Sequence, residues 1–205
     1  MFQAKTQFDK NIVRIKEIHD LYNHLKNDLH FNSSFLDDLL RGEIVYAVSG
    51  LDKFIHDIVK VGILESYNHL RPTTPSLNNF TFNYAQLKLI SSPTPTININ
   101  NEIEKIIIES HKHLSFQDPE KISSALSLIW LENHKWQKIA SAMGMNESNL
   151  KIELKNIIIR RNQIVHEGDI DLFSNTIQTI NQIDVENSVN FIDSLVNEIY
   201  NLVKL

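Results

Sequence analysis

The chain contains no cysteine, so it has neither a disulfide framework nor a thiolate metal site, and the composition suits a soluble, cytoplasmic protein. Glycine and proline are scarce at five each among 205 residues, and four of the prolines fall between Arg71 and Pro95, leaving long stretches free of helix breakers. No apolar run approaches the length needed to cross a bilayer, and the first twenty residues scatter charge through what would be a leader's apolar core. A membrane partner and secretion by a signal peptide are therefore not expected. Nor is there a basic excess: the formal charge is −5, which argues against holding a polyanion through overall charge. Charge is nevertheless concentrated locally, with six basic residues against two acidic ones between Asn133 and His166. The apolar fraction of 42% suffices for a real core, and with no repeat and no change of composition the whole of 1–205 reads as one domain.

What remains reads as helix. Phe8, Ile12, Ile15, Ile18, Leu21, Tyr22 and Leu25 recur at three- and four-residue spacing, and a second helical region spans 34–69, with a break expected near Gly42. The proline-bearing stretches "RPTTPSLNNFTFNY" and "SSPTPTININN" predict an irregular connection. Asp118 followed by Pro119 is a helix start, Gly144 ends a short helix, Asn146 begins another that runs to about His166, and Gly168 can supply its left-handed cap. A last helix is expected after Asp184, with Val185, Val189, Ile192, Leu195, Val196, Ile199 and Val203 on one face. The fold class is all-α, a helical bundle.

The most informative segment is "IIIRRNQIVHEGD", residues 157–169. On a helical wheel Arg161 falls within about 20° of the centre of the stripe formed by Leu150, Leu154, Ile157 and Val165. A guanidinium there needs a partner or a purpose, because an unpaired charge beneath a protein surface costs several kcal/mol, roughly. Asn162 and His166 lie together on a flank, one turn apart. These residue types suit metal-independent RNA cleavage: histidine moves a ribose 2′-OH proton near neutral pH, and a guanidinium stabilises charge growing on phosphate oxygens. Arg161 and His166 are about 140° apart on one helix, so both types reach one phosphate only if the arginine bends round or a second copy supplies a partner, as a two-fold homodimer that packs this helix on its mate would. The plain alternative pairs Arg161 with a core carboxylate and leaves His166 as a helix C-terminal cation. A second stretch, "LRGEIVYAVSGLDKFIHDIVKVGI" (40–63), places Asp52 inside an apolar arc, and Asp52 or His56 is expected to lie near Arg161 and orient it.

"RNQIVHEGD" resembles the Arg-x4-His motif of the HEPN superfamily, and with "RGEIVYAVSGLDKFIHDIV" and "WQKIASAMG" the pattern is similar to its RiboL-PSP-HEPN branch over about 35–200. The resemblance implies a helical-bundle homodimer with a composite endoribonuclease site that needs no metal or other cofactor. In this sequence Arg161 and His166 take the catalytic positions and Asn162 the polar one, while Arg160 and Lys155 are candidate contacts to RNA. It also implies a toxin or anti-phage setting, with an antitoxin or other defence protein as a partner. The position two after the histidine is Gly168, where some members silenced by a nucleotidyltransferase carry tyrosine, so that route of control is not expected.

Other readings are weaker. "IASAMGMNESNLKIEL" has the outline of a DNA-binding helix–turn–helix, but its second helix runs into Leu154, Ile157, Ile158 and Ile159, too apolar for a major groove. A non-catalytic binding module of the same family is the other alternative. His111 and His113 stand about 200° apart on a helix, which does not suit one metal ion. Trp130 and Trp136 are expected in the core.

Overall fold

A computed structural model describes residues 1–91, 98–171 and 173–205. Among them are nine α-helices and no strand: α1 (Phe2–Asn23), α2 (Asp37–Tyr67), α3 (Pro75–Asn78), α4 (Tyr84–Ser91), α5 (Ile99–His111), α6 (Pro119–Leu126), α7 (Lys135–Ala142), α8 (Glu147–His166) and α9 (Gln182–Val203). No helix among the described residues is long and apolar enough to cross a membrane.

The helix starts follow from side-chain oxygens that take up backbone N–H groups the first turn leaves open. Asp118 accepts from Glu120 N at 2.8 Å, Asn146 from Asn149 N at 2.7 Å, and Asn181 from Ile183 N at 2.8 Å. Gly144 leaves α7 with φ +67°, a conformation that costs glycine no steric penalty.

Helix α2 is the axis of the bundle and packs against α1, α9, α8, α5 and α6. The break expected near Gly42 is absent: α2 runs through Gly42, Gly50 and Gly62 without interruption. Tertiary packing outweighs the modest helix penalty of each glycine, and at Gly62 the missing side chain is required, since a Cβ would stand 2.5 Å from Ile129 Cγ2. The proline-bearing connection is irregular at 79–83 and carries the short helices α3 and α4. Pro93 and Pro95 lie outside the described residues.

One hydrophobic cluster runs from Ala4 to Val203, with Leu40, Leu51, Ile55, Ile58, Leu150 and Leu154 of α2 and α8 entirely enclosed. Trp136 is in this core and its indole N–H donates to Pro119 O at 3.0 Å. Buried polar groups tie the ends together. Arg71 donates to Ile129 O (3.1 Å), Val203 O (2.8 Å) and Glu65 (2.9 Å), so one guanidinium satisfies two chain segments that no helix ladder serves. His19 of α1 sits between Glu43 of α2 (3.1 Å) and Glu186 of α9 (2.9 Å), and burial pushes the Glu43 carboxyl above its ordinary range.

Candidate active site at the end of helix α8

Leu150, Leu154 and Ile157 anchor the first three turns of α8 in the core, and the stripe then rises toward the surface. Arg161 is half-buried where Ile157 was buried, and Val165, one turn on, is 45% exposed. The two adjacent arginines meet different fates. Arg160, on the side turned to α2, makes a two-pronged ion pair with Asp169 and donates to Thr179 O at 3.2 Å. Arg161 donates only to the neutral Asn162 Oδ1, at 3.0 Å, while its Nε is buried with no hydrogen-bond partner among the described residues. Among the described residues, one positive charge is thus paired with a carboxylate and the other is not. His166 is exposed in the last turn, on the flank that Asn162 also occupies.

Asp169 organises the helix end. It is completely buried, and its carboxylate accepts from Arg160 and from Arg41 Nε of α2 at 2.7 Å. Its backbone N–H donates to Gln163 O (3.0 Å), and its carbonyl accepts from Gln178 N (2.8 Å). Gly168 and Asp169 both have positive φ, +63° and +59°, which turns the chain back sharply enough for the carboxylate to re-enter the helix end it has just left. Aspartate tolerates this conformation better than most side chains. Arg41 completes the arrangement by donating to Gln178 O at 2.7 Å, with Asp38 at 3.3 Å on its outer side.

Two expectations are corrected here. Asp52 and His56 do not orient Arg161: Asp52 Oδ1 accepts from Phe116 N at 2.5 Å, and the His56 ring lies 4.4 Å from that of Phe116. They are 11 and 15 residues along α2 from Arg41, about 17 and 23 Å at helical rise, and they fasten the turn after α5 instead. Arg160, expected to meet phosphate, has its guanidinium committed to Asp169, because its side of α8 faces α2. Lys155 is exposed, as a contact to RNA requires. The structure brings Arg161 and Asn162 together and leaves His166 beside them on the surface. The residues overlooked in the sequence are Asp169 and Arg41, although both lie inside the two stretches singled out there. The available signal was an acid directly after a helix-ending glycine.

Beside this helix end, between α8 and the first half of α2, opens a groove of about 410 Å³ lined by Arg41, Gly42, Val45, Tyr46, Ile164 and Ile177. Tyr46 (50%) and Ile177 (64%) are exposed, and so is Ile159 (56%) on α8 itself. Tyr46 and Ile177 thus flank one groove, whereas Ile159 lies about 140° round α8 from Ile164.

The α7–Gly144–α8 segment does form a helix–turn–helix, but the second helix spends Leu150, Leu154 and Ile157 on the core. The model of one protein family, RiboL-PSP-HEPN, matches residues 9–205. No curated protein and no solved structure matches the chain.

Proposed function

The chain belongs to the RiboL-PSP-HEPN family, and we propose that it is an endoribonuclease of HEPN type that cuts RNA through attack of the ribose 2′-OH, without a metal ion. The observation that carries this reading is the contrast between the adjacent arginines. Asp169 neutralises Arg160, whereas Arg161 is positioned by a neutral amide and keeps its charge for a ligand. A guanidinium held in that way suits the charge that develops on a phosphate in flight. His166 is accessible and acts as the proton donor or acceptor, and Asn162 orients Arg161. Lys155 contributes to holding the RNA backbone.

Arg161 and His166 point about 140° apart on α8. A two-fold homodimer across the surface around Val165 would bring two such sets to one groove, and the exposure of that apolar side chain one turn from Arg161 supports that assembly. A toxin or anti-phage defence effector, restrained by a partner protein, is the setting the family suggests. The competing reading is a non-catalytic HEPN module that binds RNA or protein.

The deciding experiment is digestion of total cellular RNA in EDTA by wild type, His166→Ala and Arg161→Ala, with analysis of product ends. The expected result is 2′,3′-cyclic phosphate ends from the wild type and a loss of about 10²–10⁴-fold in either variant. Intact RNA after incubation with folded, dimeric wild type would overturn the enzymatic reading in favour of the binding module.

A further inference from the structure

Far along α2 from Arg41, a cavity of about 270 Å³ lies between the C-terminal half of α2, helix α5 and the α3–α4 segment. Ile63 and Tyr67 of α2, Leu77 of α3, Ile103 and Ile107 of α5, and Phe80 form most of its wall. A dry apolar cavity of about 150 Å³ takes up benzene, so this one has room for a ring system nearly twice that size. Phe82 and Leu87, 41% and 53% exposed, form its rim and leave a way in.

One polar group in the wall is unsatisfied. Ser66 is 3% exposed, and its hydroxyl has no hydrogen-bond partner among the described residues. Serines inside helices can satisfy the hydroxyl by donating back to the carbonyl four residues earlier. Ser124, Ser127 and Ser188 of this protein do so, at 2.9, 2.9 and 2.8 Å. Ser66 forgoes that bond while lining an apolar cavity, and a buried hydroxyl left unpaired is a standing free-energy cost that a ligand can relieve. The aromatic edges and faces of Tyr67, Phe80 and Phe82 favour a flat ring over a flexible chain.

We infer that this cavity binds a small planar aromatic molecule of about two fused rings, bearing one hydroxyl group that hydrogen-bonds to Ser66 Oγ. The inference is independent of RNA cleavage, and its test reads the same in His166→Ala protein.

The test is calorimetric titration of the full chain with 1-naphthol, naphthalene and decanoate. One 1-naphthol per chain is expected, bound more tightly than naphthalene. Ser66→Ala, which removes an unsatisfied group and so leaves folding intact, weakens 1-naphthol about tenfold and leaves naphthalene unchanged. Leu77→Trp fills the space and abolishes both, with circular dichroism reporting its fold; should it not fold, the Ser66→Ala comparison decides alone. Failure of both ring compounds to bind, a Ser66→Ala affinity equal to wild type, or decanoate binding in place of 1-naphthol each overturns the inference.

Discussion

Replacing Asp169 by asparagine removes one charge from the centre of the α8 terminus and changes almost nothing else. Asparagine is nearly isosteric and accepts the +59° φ of this position about as readily as aspartate, so backbone strain is not introduced. What is lost is a completely buried carboxylate that accepts from Arg41 and twice from Arg160. Removing one partner of a buried ion pair costs about 3–5 kcal/mol, because the remaining charge is stranded. Arg41 is buried, but the Arg160 side chain is 22% exposed and can turn toward water, which puts the expected loss near the lower figure, about 3 kcal/mol. For a chain of this length that is a fall of about 6–12 °C in Tm. Asp169→Ala adds about 1 kcal/mol for placing alanine in the left-handed region. Asp38→Asn is the control: Asp38 also pairs with Arg41 but its side chain is 63% exposed, and such pairs contribute about 0–1 kcal/mol. Urea denaturation of the three variants measures the differences. A loss below about 1 kcal/mol for Asp169→Asn, no greater than for Asp38→Asn, would refute the claim that this carboxylate holds the helix end.

Other outcomes follow from the same geometry. Gly62→Ala drives a Cβ to within 2.5 Å of Ile129 Cγ2 and 2.8 Å of its Cβ, branched atoms that cannot swing aside, and it destabilises by about 1–3 kcal/mol where Gly42→Ala, with its nearest contact at 3.9 Å, does not; thermal unfolding separates them. Val165→Lys, at a 45% exposed position beside Arg161, leaves monomer stability within about 0.5 kcal/mol and abolishes both dimer and RNA cutting; light scattering and digestion check this, and full activity of the variant as a monomer would remove the two-copy site. Burial, reinforced by the neighbouring His56, pushes His111 below its ordinary 6.5. The unfolded chain therefore takes up that proton first, so the stability His111 contributes is present above about pH 6.5 and drains away as pH falls through the depressed folded value. His111→Leu should flatten the wild-type decline between pH 7 and pH 5 in denaturant titrations; an unchanged slope would assign the decline to other groups.

The helical class, the order of the principal helices and most of their starts follow from local chemistry. Apolar periodicity, Asp118 and Asn146 at helix starts, and Gly144 and Gly168 past helix ends all act within a few residues, so the sequence by itself determined them, whereas α9 begins at Gln182 behind the Asn181 cap, earlier than the start expected after Asp184. That Arg161, Asn162 and His166 share two turns of one helix was legible for the same reason. Which of two adjacent arginines is neutralised was not legible. It depends on the turn at Gly168 and Asp169 returning a carboxylate to Arg160, and on Arg41, 128 residues before Asp169, reaching that carboxylate from α2. The reading of Asp52 and His56 failed on the same ground, since a polar residue on an apolar arc announces a partner without naming it, and the partner of Asp52 is the backbone of Phe116. Continuity of α2 through Gly42 and the necessity of Gly62 likewise rest on what packs beside them. Periodicity and capping are short-range and written in the chain; pairing between buried charges, and the cavities left between helices, exist only once distant segments are packed, and the tertiary structure alone decided them.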